Sequence, residues 1–96
     1  MQVHAQNGAI LLKLGRVFMV RDAERMAEML KSLGPFSELV VDFTSTHEFH
    51  DAAFPALYGA MQRLTGVRVT LRGMTEHQSR LLRYLDLPVA ELHAPA

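Results

Sequence analysis

The chain reads as an α/β domain: a mixed β-sheet that opens with an N-terminal hairpin and is packed by three or four helices. Three observations predict it. Asn7-Gly8 separates two apolar segments; the pair tolerates positive φ at both positions and is the strongest short hairpin signal. Residues 38–64, ELVVDFTSTHEFHDAAFPALYGAMQRL, pass from a β-branched apolar run through a polar loop into a pattern of period 3.6, so a strand feeds a loop and the loop feeds a helix. Val67 to Leu71 then alternates again, and a strand–helix–strand unit joins parallel neighbours by a right-handed crossover.

In chain order, Met1 to Gln6 predicts a short edge strand, and Ala9 to Leu14 returns antiparallel to it after the Asn-Gly turn. Gly15-Arg16 interrupts the strand, and Val17 to Val20 continues extended, with alternation turning one of Phe18 and Met19 outward. Asp22 is the expected N-cap of a helix over Ala23 to Leu33. Its apolar stripe is Ala23, Met26, Ala27, Leu30 and Leu33, with Glu24, Arg25, Glu28 and Lys31 opposite. Gly34, in the left-handed region, and Pro35 are expected to end it. Leu39 to Phe43 reads as a central strand buried on both faces. Asp51 is the expected N-cap of a second helix, Ala52 to Leu64, with Pro55 in its first turn and Phe54, Leu57, Met61 and Leu64 toward the core. Thr65-Gly66 stops it. In the next strand Val67, Val69 and Leu71 are expected inward, and Arg68 and Thr70 outward. After Gly73, Thr75 and Gln78 form a capping box for a third helix that carries Leu81, Leu82 and Leu85 and ends before Pro88. The tail, Pro88 to Ala96, has room for one more short strand.

Composition excludes several classes. The 96 residues form a single domain, 1–96, and the 49% hydrophobic share is enough for a core. Ten Lys and Arg balance ten Asp and Glu without a basic stripe, which argues against nucleic acid. The absence of Cys excludes disulfides and Cys-based zinc sites. No signal-peptide pattern opens the chain, and the apolar runs fall far short of the roughly 20 residues a bilayer demands. A protein without direct membrane insertion, located in the cytoplasm, is expected. No Gly-rich phosphate loop is present, and no cofactor is expected.

The ordered elements resemble the STAS domain, the fold of bacterial anti-anti-sigma factors (anti-sigma factor antagonists). In that family a strand ends in Asp-Leu, and after a short loop a helix opens with Phe-x-Asp-Ser-Ser-Gly-Leu. Here Asp42-Phe43 resembles the strand end and Phe49-His50-Asp51-Ala52-Ala53-Phe54 the helix opening. Gly15-Arg16, the strand VRVTLRG at residues 67–73, and Leu82 to Leu87 match further family positions, so the resemblance covers nearly the whole chain. It implies a non-catalytic bacterial signalling module that regulates transcription through protein–protein interaction. The implied partner is an anti-sigma factor or kinase-like regulator. The alternative is an accessory subunit of an ABC transporter of the phospholipid type, docking on the ATPase. The departure is at the phosphosite. The family's second Ser falls on Ala53 and its first on Ala52, and Ala accepts no phosphoryl group. Switching by phosphorylation at the usual helix N-terminal site is therefore not expected. Thr44, Ser45 and Thr46 place hydroxyls a few residues upstream.

The expected partner-binding residues are Thr44, Ser45, Thr46, His47, Glu48 and His50 in the loop, Asp51, Ala52 and Ala53 at the helix opening, and Ala56, Gly59 and Arg63 along the outward helix face. Small side chains there leave a flat surface for close approach, and a mid-helix Gly costs about 1 kcal/mol relative to Ala, which asks for a reason beyond filler. His47, Glu48 and His50 bear metal-ligating groups, but loop spacing matches no strong metal signature, and solvated or partner-contacting side chains are the better reading; no metal is expected. Asp42 and Asp51 are the carboxylates nearest to a catalytic pair, yet Asp42 fits a loop-fastening role and Asp51 a capping role, so no enzyme is expected. The uncharged edge strand at residues 2–6 leaves a homodimer open.

Overall fold

The computed structural model describes residues 1–78, 80 and 90–92. Strands β1 (Gln2–Gln6) and β2 (Ala9–Lys13) form the antiparallel hairpin. Asn7 and Gly8 both take positive φ, 51° and 78°, as a two-residue hairpin turn demands. The chain then runs through β3 (Val17–Phe18), α1 (Val20–Ser32), β4 (Glu38–Asp42), β5 (Glu48–Phe49), α2 (Ala53–Gln62) and β6 (Arg68–Arg72). A helix α3 opens at 76–78, and β7 (Ala90–Leu92) supplies the short strand expected in the tail.

The main sheet has the order β1-β2-β4-β6-β7, antiparallel at β1 and parallel elsewhere. Register aligns the apolar residues in rows: Ile10, Leu39 and Val69 in one, Leu12, Val41 and Leu71 in the next. These six are buried and share a single core with Ala23, Met26 and Leu30 of α1 and Leu57 and Met61 of α2. Crossovers of one hand that step in one direction place successive helices on the same face, and α1 and α2 pack against each other.

Several sequence expectations are corrected. Helix α1 begins at Val20, three residues early, with Met19 at the cap. Asp22 sits in the first turn, and its carboxylate accepts the Met19 N–H at 2.9 Å. An acidic side chain in the first turn satisfies an orphan donor and the helix dipole, so the sequence signal of a cap and of a first-turn acid is the same. Gly34 does not take positive φ; Leu33 turns extended after the last helical residue, and Pro35 holds the preceding residue out of the helical region. Strand β4 is buried unevenly on its two faces: Leu39 and Val41 are fully buried on one, while on the other Asp42 is buried and Val40 half-buried. Thr70 is buried where an outward position was expected, and Val67 precedes β6 and is half-buried. Met74 is in the core, Met29 packs partly against it, and Met1 and Met19 are exposed. The Thr75–Gln78 capping box forms in both directions, at 3.0 and 3.2 Å. Leu81, Leu82, Leu85 and Leu87 lie outside the described residues.

Candidate functional site

The loop that follows β4 stands at the carboxyl ends of the parallel strands β2, β4 and β6, where open α/β sheets place their functional loops. It is tied down from both ends. Asp42, 8% exposed, turns one carboxylate oxygen to the loop. That oxygen accepts the Thr44 N–H at 2.9 Å and the Thr44 hydroxyl. The other oxygen lies 3.8 Å from the Arg72 guanidinium. Phe43 N–H donates to the Arg72 carbonyl, and Thr46 N–H folds back on the Phe43 carbonyl, which closes a tight turn. Asp42 is thus a fastening residue, in line with the sequence reading.

Gly73 carries φ +76°, and a Cβ there would stand 2.6 Å from the Thr44 nitrogen and 2.7 Å from its Cα. Only glycine lets the β6–α3 turn lie against the β4 loop.

The second half of the loop was not expected to be a strand. The Arg16 carbonyl accepts both the His47 and the Glu48 N–H, and the Phe18 carbonyl accepts the His50 N–H, at 2.8 to 3.0 Å. The Thr46 hydroxyl donates to the Gly15 carbonyl at 2.8 Å. Glu48–Phe49 thereby pairs in parallel with Val17–Phe18 as a small second sheet. Beneath it Phe18, Phe43, Phe49 and Phe54 form a cluster with ring centroids 4.4 to 5.5 Å apart, in the range of favourable aromatic pairs. Four of the five phenylalanines are thus placed under one junction. Their sequence signal was their position: each stands at, or one residue from, a strand or helix end.

The β3–β5 pair sets what the surface shows. Met19 and Val20 leave β3 as His50 and Asp51 leave β5, so the openings of α1 and α2 emerge side by side. Phe18 points in, and Val17, Met19 and Val20 are 41%, 39% and 36% exposed. Asp51 and Ala52, at the opening of α2, are exposed too. The exposure of Val17 and Val20 has no sequence signal, since a two-residue strand leaves no period to read.

The expected contact residues divide. Thr44, Ser45, His47, Glu48, His50, Asp51, Ala52 and Arg63 are exposed; Thr46, Ala56 and Gly59 are half-buried. Ala53 is corrected: it is 0% exposed, and a partner does not reach it. It occupies the first turn of α2, directed into the core beside Phe54, so its methyl is a packing group. Asp51 is corrected as well. Its side chain makes no cap bond; its backbone carbonyl and that of His50 accept the first amides of α2, and Ala52 stands at the cap. The Asp51 carboxylate instead lies 3.5 Å from the His77 imidazole on α3. The His50 ring is exposed, 3.6 Å from Glu48. Among the described residues no three His, Asp or Glu side chains gather closely enough to hold a metal ion.

Ala56, Gly59 and Arg63 line a groove of about 470 Å³ between α1 and α2, with Ala23 and Ala27 at the facing wall. Part of the small-residue stripe therefore serves helix–helix contact, where short side chains allow two backbones to approach. Gly59 is the exception: a Cβ there would meet nothing within 4 Å. Internal packing does not ask for it.

No protein-family model matches the chain, and no curated protein matches it. No helix among the described residues is long and apolar enough to cross a membrane.

Proposed function

We propose that the chain is a non-catalytic protein-interaction module of the STAS type, working in the bacterial cytoplasm. It binds a protein partner, an anti-sigma factor or kinase-like regulator, through the paired openings of α1 and α2. The observation that carries this reading is the exposed apolar trio Val17, Met19 and Val20, on the strand and helix opening that the β3–β5 pair ties to the segment leading into α2. Exposed β-branched valines on a backbone-tied platform lose little entropy on docking, and the flexible Met19 adapts to the surface it meets. The groove between the helices continues that surface with small side chains. Its mechanism is occupancy: the module holds or releases a partner by competition and transforms nothing.

The site supports a constitutive module. Ala53 offers no hydroxyl, and the Thr44 and Thr46 hydroxyls are already engaged as donors. Incubation with ATP and candidate switch kinases, followed by intact-mass measurement, is expected to leave the mass unchanged. Phosphate on Thr44, Ser45 or Thr46 overturns that part of the reading. Co-purification from the native cell separates partner classes. An anti-sigma or kinase-like protein that is lost from Met19→Asp or Ala52→Arg protein supports the proposal. A transporter ATPase recovered in its place assigns the chain to the accessory-subunit class.

A further inference from the structure

We infer that this chain pairs with a second copy of itself through the free edge of β1, across a two-fold axis at His4. This goes beyond the docking surface above and uses none of its residues. Strand β1 is the edge of the five-stranded sheet, and all five of its residues are exposed. Soluble proteins blunt such edges with Lys, Pro, bulges or cover. The sequence Gln2-Val3-His4-Ala5-Gln6 has none of these: no formal charge, no Pro, and an unbroken register with β2.

The strand is also symmetric. Antiparallel pairing centred on His4 sets Gln2 against the partner's Gln6, Val3 against the partner's Ala5, and His4 against the partner's His4. Each position meets its own chemical class. In a two-residue hairpin the closing pair, here Gln6 and Ala9, exchanges both of its hydrogen bonds, so the backbone groups of Gln6, His4 and Gln2 face β2. Those of Val3 and Ala5 face the open edge. The two-fold register joins them by about four new backbone bonds.

A second feature receives the partner's side chains. Val3 and Ala5 share the face of Leu12 and Ile10, their register partners. A concavity of about 260 Å³ opens on that face, lined by Ala5, Ile10, Leu33, Pro35 and Phe36 among others. The partner's Val3 arrives opposite Ala5 and its Met1 opposite Asn7, at the rim of this concavity. Met1 and Val3 are both exposed apolar side chains in the single chain, 51% and 37%. Two short strands and four apolar side chains make a small interface, so the dimer is reversible, with dissociation in the micromolar range.

Sedimentation velocity of the full chain across micromolar concentrations tests this. The unaltered protein is expected to shift from monomer to dimer as concentration rises. His4→Lys and His4→Glu each put like charges across the axis and are each expected to weaken association at least roughly tenfold. Mixing the two variants is expected to restore it. Val3→Pro removes an edge-facing donor and is expected to leave a monomer whose circular dichroism is unchanged. Should Val3→Pro fail to fold, the His4 pair decides alone, because His4 is exposed. A protein that stays monomeric through the high micromolar range overturns the inference. So does a dimer indifferent to both His4 variants.

Discussion

Gly59, Gly73 and Asp42 show that residues which look alike as sequence features differ in what they do. Gly59 stands in a helix with open space where its Cβ would be. Gly59→Ala is expected to stabilise the free protein by about 0.5–1 kcal/mol, the helix-propensity difference, read as a higher urea midpoint. If the partner's backbone passes close to α2, the same change weakens binding, and that opposition of signs marks a residue kept for docking. Gly73 is the reverse case. Gly73→Ala forces a Cβ onto Thr44 in a left-handed backbone, and a loss of more than about 2 kcal/mol is expected by urea denaturation. Asp42 fastens the loop through Thr44, so Asp42→Ala is expected to cost about 1–3 kcal/mol and to free the Thr44 amide for exchange. The fastening role of Asp42 was legible, because an acid at a strand end ahead of Thr-Ser-Thr has few other uses. The constraint on Gly73 was not, because it comes from a segment 29 positions away: residue 44 against residue 73.

At the scale of elements, long periodic segments could be read and short ones could not. The hairpin, α1, α2 and strands β4 and β6 each carry enough residues for a period to show, and the structure places them within a few residues of expectation. Strand β5 has two residues and owes its existence to the carbonyls of Arg16 and Phe18. No local pattern in Thr44 to His50 encodes that pairing. The same tertiary dependence explains Ala53: helix period alone leaves the first turn free to face either way, and the Phe49–Phe54 contact beneath it fixes the direction. The β3–β5 pair makes the junction a platform, and hydrogen exchange is the suitable readout. The amides of His47, Glu48 and His50, all bonded to β3 or its approach, are expected to exchange more slowly than that of Ser45. Phe49→Ala is expected to lose about 2–3 kcal/mol and to remove that protection, since Phe49 touches both Phe18 and Phe54.

For the whole molecule, the sheet is the frame, and the proposed docking face and the inferred dimer edge lie on two of its borders. One border is the carboxyl end of the parallel strands, where three chain segments meet and the apolar trio is exposed. The other is the lateral edge at β1. The formal net charge is zero, so in the proposed docking recognition is expected to rest on shape and apolar contact more than on long-range attraction. Partner binding is accordingly expected to vary little with salt between low and physiological ionic strength, measured by titration calorimetry. A steep salt dependence assigns recognition to Glu48, Asp51 and Arg63 instead of to the trio.

Photo-crosslinking in the native cell addresses the docking face most directly. A photoreactive residue is placed at Met19, at Ala52, or at the exposed Thr65 beyond the end of α2. One shared protein adduct is expected from positions 19 and 52, and none from 65. Adducts from position 65 alone, or none from 19 and 52 while the protein is folded and bound to its partner, contradict the proposed docking face.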